Sequence, residues 1–281
     1  MVSINSNYAA NFAAKAAKQT TSELNSAMER LSTGKRINYA RDDAAGQAIA
    51  VRLTAEIQGL AAASRNAADA QSLVDTADGA LQETQTILLR MRELAVQSSN
   101  GTLGAADRAA LQTEAASLEE EISRIANTTT WAGKNLLDGS FSGDTSVNTR
   151  TFQIGTMSGQ TIELSIPEMT ATSATIGYSV AMSIGSFTGA QTAITGLDGA
   201  LSNVAEVRGK LGGISNRLDS TISNLDQVRV NLSASRGRIE DADFAAETGN
   251  LAKNQILQQA ATAMIAQANA SKNTVLNLLR G

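Results

Sequence analysis

LQQAATAMIAQANASKNTVLNLL, Leu257 to Leu279, places apolar or small residues at Leu257, Ala261, Met264, Ala268, Ser271, Val275 and Leu278. The spacings alternate four and three, the heptad pattern of a helix made to lie along another helix. The opposite end of the chain answers it, because Ala10, Ala14, Ala17, Thr21, Leu24, Met28 and Leu31 repeat the same alternation. The two stripes are expected to pair with each other and then with further copies of the chain. The residues expected to carry this association are Leu24, Met28, Leu31, Leu257, Met264, Val275 and Leu278.

Composition supports the helical reading. Hydrophobic residues make up 42% of the 281, yet aromatic residues only 3%, and the single Pro is Pro167. A core rich in Ala and Leu and poor in rings suits helices packed closely side by side. The expected fold is mainly α, a long antiparallel helical bundle or coiled coil formed by the N- and C-terminal segments, with a small β-hairpin insert. The net charge of -4 is spread along the helices in both signs, which gives neither a nucleic-acid footprint nor a membrane-surface helix. No window is apolar enough for a membrane span. With no Cys and no His, the chain lacks a thiol nucleophile, the commonest general base and the commonest metal ligand. No catalytic residue, cofactor or metal is expected. The N-terminus has no basic region followed by an apolar run, so an exported chain would use a dedicated route without a cleaved signal peptide.

Taken in order, a first helix can start at Ser3 or Asn5 and run to Thr33, with Gly34 as a left-handed cap. The charged run Lys35, Arg36, Arg41, Asp42 and Asp43 breaks the apolar period, and either aspartate can cap the next helix. A loop with both signs this dense could interlock with its copy on a neighbouring subunit. From Ala44 to Ser99 the helical period runs without Pro, for about 80 Å at a rise of about 1.5 Å per residue. Asp107 can cap a helical-hairpin partner carrying Leu111, Ala115, Leu118, Ile122 and Ile125. Phe152, Ile154, Ile162, Leu164 and Ile166 alternate with polar residues around Ser158-Gly159, a β-hairpin, and Ile176 to Phe187 could add a strand. From Ala190 the helical period returns. Glu240, Asp241 and Asp243 put negative charge where the last helix begins.

Five stretches resemble bacterial flagellin, the subunit of the flagellar filament. They are ERLSTGKRINYARDDAAGQAIA (Glu29 to Ala50), LLRMRELAVQSSNGT (Leu88 to Thr102), WAGKNLLDG (Trp131 to Gly139), IEDADFAAETGNLAKNQILQQA (Ile239 to Ala260) and QANASKNTVLNLLRG (Gln267 to Gly281). Trp131 stands where many members have Phe, and the last stretch lacks a Pro that many carry.

The resemblance implies an inner, filament-core domain from residues 1–43 and 239–281. It implies a rod domain from a helical hairpin at 44–138 and a returning helix at 190–238, with a small β-rich insert at 139–189 and no large outer domains. It further implies a secreted homopolymer that swimming bacteria use for motility. Its partners would be the export apparatus, an export chaperone, and the filament cap and hook-junction proteins. Arg90, Leu94 and Glu114 match residues that vertebrate flagellin-sensing Toll-like receptors contact. The alternatives are a hook-filament junction protein sharing the helical termini, or a flagellin-like surface adhesin whose insert binds a ligand.

Overall fold

The structure, a computed structural model, describes residues 6–141, 149–171, 173 and 183–280, with only the backbone for 272–280. Its long helices are α1 (Tyr8–Thr33), α2 (Ala44–Ser98), α3 (Ala105–Thr128), α4 (Phe187–Glu240) and α5 (Phe244–Arg280). Two antiparallel strand pairs separate α3 from α4, β1 (Thr130–Trp131) with β2 (Lys134–Asn135) and β3 (Thr149–Gln153) with β4 (Thr161–Ser165). The chain divides into a terminal unit, Met1–Ile57 with Val230–Gly281, and a central unit, Gln58–Arg229.

In the central unit the heptad is unbroken. Leu60, Ala63, Ala67, Ala70, Val74, Ala77, Leu81, Thr84, Leu88, Met91, Ala95 and Ser98 alternate three and four along α2, and every one is buried. The returning helix α4 answers with Ala190, Ala193, Leu197, Ala200, Val204, Val207 and Leu211 at the same spacing. Polar pairs on the flanks fix the antiparallel register: Arg92 Nε donates to Asp198 at 2.6 Å, Arg208 Nε to Asp78 at 2.7 Å, and Gln71 Nε2 to Asp219 at 2.8 Å. The third helix adds Ala115, Ile122 and Ala126 to this core. Asp107 is not its cap. Gly104 takes that position, and Asp107, at the third residue of the helix, accepts from the Gly104 N–H at 3.0 Å.

The first strand pair turns through Ala132 (φ 49°) and Gly133 (φ 76°), the two left-handed residues of a tight hairpin. The second pairs Phe152 with Ile162 and Arg150 with Leu164, and Gly159 at φ 85° lies in its turn. Ile162, Leu164 and Ile166 are buried in the helical core, as their alternation predicts. Most of the further strand expected from Ile176 to Phe187 lies outside the described residues. Its last residue, Phe187, opens α4 instead.

Candidate assembly surface

In the terminal unit α1 and α5 run antiparallel. Asn7 caps α1 by accepting from Ala10 N at 3.1 Å and donates across to the Ala268 carbonyl at 3.3 Å. Further along, Gln258 Nε2 donates to Thr21 Oγ1 at 3.2 Å, and Arg30 Nη1 meets Glu247 at 3.0 Å. Helix α1 begins at Tyr8; the Ser3 and Asn5 caps fall outside the described residues.

The seam between these helices includes Ala10, Ala17, Leu24, Leu31, Ala261 and Ala268 of the stripes expected from the sequence and departs from them elsewhere. Along α1 the covered positions are Ala10, Ala13, Ala17, Thr20, Thr21, Leu24, Ala27 and Leu31, so Ala14 and Met28 each give way to the residue before them. Along α5 they are Glu247, Leu251, Asn254, Gln258, Ala261, Ile265 and Ala268, again at heptad spacing. Leu257 and Met264 each miss the seam by one residue, as does Ser271 at the end of the described side chains; Val275 and Leu278 lie beyond them. The seam is therefore mixed, its Leu24, Leu31, Leu251 and Ile265 half-buried among small and polar groups. Ala27 and Ala261 are buried, and so are Thr20, Glu247 and Asn254, whose Oδ1 meets no donor among the described residues.

Several large apolar side chains face outward. Tyr8 and Phe12 are 79% and 78% exposed, Ile256 66%, Met264 63%, Met28 45% and Leu257 43%. At 100° per residue Tyr8, Phe12 and Ile256 lie on the far side of their helices from the seam. Leu257 and Met264, seven residues apart, share a flank of α5.

The loop between α1 and α2 is tied down within the chain. Gly34 adopts a left-handed conformation (φ 71°) and closes α1. Lys35 Nζ reaches Glu240 at 2.6 Å, Arg36 N and Nη2 donate to the carbonyls of Glu240 and Ile239 at 2.7 Å, and Ala242 N donates to Gly34 O at 3.0 Å. Ile37 is buried beneath them. Asp42 accepts from Tyr39 N and Asn38 N, and these bonds hold its carboxyl below the usual carboxylate range. Asp43 caps α2 through Gly46 N at 2.8 Å. All five charges expected to reach a neighbour therefore have partners in the chain, Arg36 with Asp43 at 3.7 Å and Arg41 with Asp42 at 3.9 Å among them. The Arg41 side chain stays 79% exposed, over the Tyr39 ring.

On the central unit Arg90 bridges two carboxylates. Its Nη2 donates to Glu114 at 2.8 Å and its Nη1 to Glu93 at 2.6 Å, tying α2 to α3. Leu94 does not share this surface; it is fully buried in the helical core.

Comparison with known proteins gives this arrangement a family. The family described as the bacterial flagellin N-terminal helical region matches residues 4–142, and the bacterial flagellin C-terminal helical region matches residues 194–279. A flagellin of Halalkalibacterium halodurans is 48% identical over 254 residues, spanning 90% of this chain and 91% of that one. The chain belongs to the bacterial flagellin family. Flagellin FlaB1 of Treponema pallidum is 38% identical over 284 residues, 99% of each chain, so this flagellin aligns from end to end with a relative without a large outer insertion. The crystal structure of Bacillus cereus flagellin superposes with a TM-score of 0.50 at 34% identity, covering 57% of this flagellin and 88% of that chain. Among the described residues no helix is long and apolar enough to cross a membrane.

Proposed function

We propose that this flagellin polymerises through the outward apolar faces of α1 and α5, with the seam between them serving only to align the two helices. The protein is a structural subunit of the bacterial flagellar filament, an extracellular appendage. The observation that carries the proposal is the set of large apolar side chains left exposed in the terminal unit. Tyr8, Phe12, Ile256 and Met264 face solvent, while Leu24, Leu31, Leu251 and Ile265 share the seam with small and polar residues. An exposed apolar surface of that kind marks an association site. Lateral packing of copies would cover Met28, Leu257 and Met264. Arg41, the most exposed of the loop charges, is the one best placed to meet a neighbouring subunit.

A two-helix seam whose large apolar residues are only half-buried gains little from burial, so α1 and α5 are weakly ordered in the free subunit and become fixed on assembly. Hydrogen exchange on monomer and filament tests this. Rapid exchange of both helices in the monomer and slow exchange in the filament are expected; strong protection in the monomer would defeat the proposal.

Export is proposed to proceed unfolded and without a cleaved signal peptide, aided by an export chaperone, with subunits added between hook-junction and cap proteins. The absence of Cys suits threading, because no crosslink can form. Arg90 and Glu114 remain accessible for a vertebrate Toll-like receptor on the central unit, and their mutual ion pair is their first role. A receptor reporter retaining full response to Arg90→Ala would remove that assignment. The domain names follow the same proposal: the terminal unit lines the filament core, and the central unit forms the rod.

A further inference from the structure

We infer that Asn100 is a site of self-modification, converting to aspartate and isoaspartate through a cyclic imide, and that Arg108 promotes it. Asn100 and Gly101 lie in the exposed turn between α2 and α3. A glycine after asparagine leaves the following amide open to attack, and a Cβ built on Gly101 would meet nothing within 4 Å. Asn100 Oδ1 accepts from Thr102 N at 3.1 Å, the Asx turn that folds the side chain back over the intervening Gly101 amide. The Gly101 N–H itself has no hydrogen-bond partner among the described residues.

The peptide unit that supplies this nucleophile is polarised from its other end. The Asn100 carbonyl, which belongs to the same amide as Gly101 N, accepts from Arg108 Nη2 at 2.9 Å and from Leu103 N at 3.3 Å. Arg108 is anchored there by a second bond, Nε to the Ser98 carbonyl at 2.9 Å. A guanidinium donating to an amide carbonyl stabilises the anion left when that amide loses its proton, so it makes Gly101 N–H more acidic.

The step balances without any oxidant. Gly101 N forms a bond to Asn100 Cγ, the Cγ–Nδ2 bond breaks, and ammonia leaves carrying the proton that Gly101 N gave up. Water then opens the imide at either carbonyl. One opening yields aspartate, the other moves the main chain onto the side-chain carboxyl, and both place a carboxylate in the turn that Arg108 braces.

The test is timed incubation of the full-length protein at mildly alkaline pH, followed by mass spectrometry of the tryptic peptide Glu93 to Arg108 and by enzymatic labelling of isoaspartate. Deamidation is expected at Asn100, at least tenfold slower in Gly101→Ala. Arg108→Gln should slow it several-fold in the folded protein and leave the rate in urea unchanged, the readout that separates polarisation from sequence; its peptide is released with a protease other than trypsin. An Asn100 amide intact in the folded protein while it converts in urea would overturn the inference, and so would a folded-state rate indifferent to Arg108→Gln when circular dichroism shows the variant folded.

Discussion

Leu81 and Leu197 have no exposed surface, and each occupies a heptad position at the α2–α4 interface. Replacing either by Ala should destabilise the central unit by about 2–5 kcal/mol, read from denaturant unfolding. Gly46 is decided by space. A Cβ there would collide with the Asp43 carboxylate and lie 2.8 Å from Ile37 Cδ1. Gly46→Ala should therefore destabilise the loop, although Ala is favoured in a helix by about 1 kcal/mol; faster proteolysis at residues 34–43 would show it. Asn254 presents the opposite case, a buried carbonyl oxygen without a donor, which costs about 1–3 kcal/mol. Asn254→Leu should slow hydrogen exchange along α5 and leave the central unit unchanged.

At the scale of the element, α2 and α4 were legible as long helices because apolar residues recur along them at the helical period without Pro. The terminal helices were legible in type and pairing but not in phase. In α1 the choice lay between Ala13 and Ala14 and between Ala27 and Met28, and a pattern that favours larger residues slips one position towards Met28. In α5 the seam runs through Glu247, Asn254 and Gln258, polar residues that a search for apolar periodicity discards. The loop was legible as a break but not in its pairings. Lys35 and Arg36 find Glu240 and Ile239 about two hundred residues away in sequence, and no local signal encodes that. Leu94 falls in the apolar period of α2 as well as in a family receptor pattern, and its burial agrees with the packing role.

The whole molecule carries a pH signature. With neither His nor Cys, no side chain has an ordinary titration point between about pH 6 and about pH 8. The hydrogen bond from Arg92 holds Asp198 below its ordinary range, and Asp42 is lowered by the Tyr39 and Asn38 amides. A carboxyl lowered in the folded state stabilises above its unfolded value, and that stabilisation is lost as pH falls through the folded one. Thermal denaturation should be nearly flat across neutral pH and decline below about pH 4. A midpoint that moves steeply near neutrality would contradict this.

The two sets of apolar positions in the terminal unit make opposite demands on the assembled molecule. Electron microscopy of seeded polymerisation separates them, comparing the full chain with the double variant Leu257→Ser and Met264→Ser and with a chain lacking residues 255–281. The full chain should give long helical filaments and the truncated chain none. The double variant, its α1–α5 seam untouched and its circular dichroism unchanged, should also fail to elongate seeds. Filaments from the double variant at the normal rate and length would contradict assembly through the outward faces.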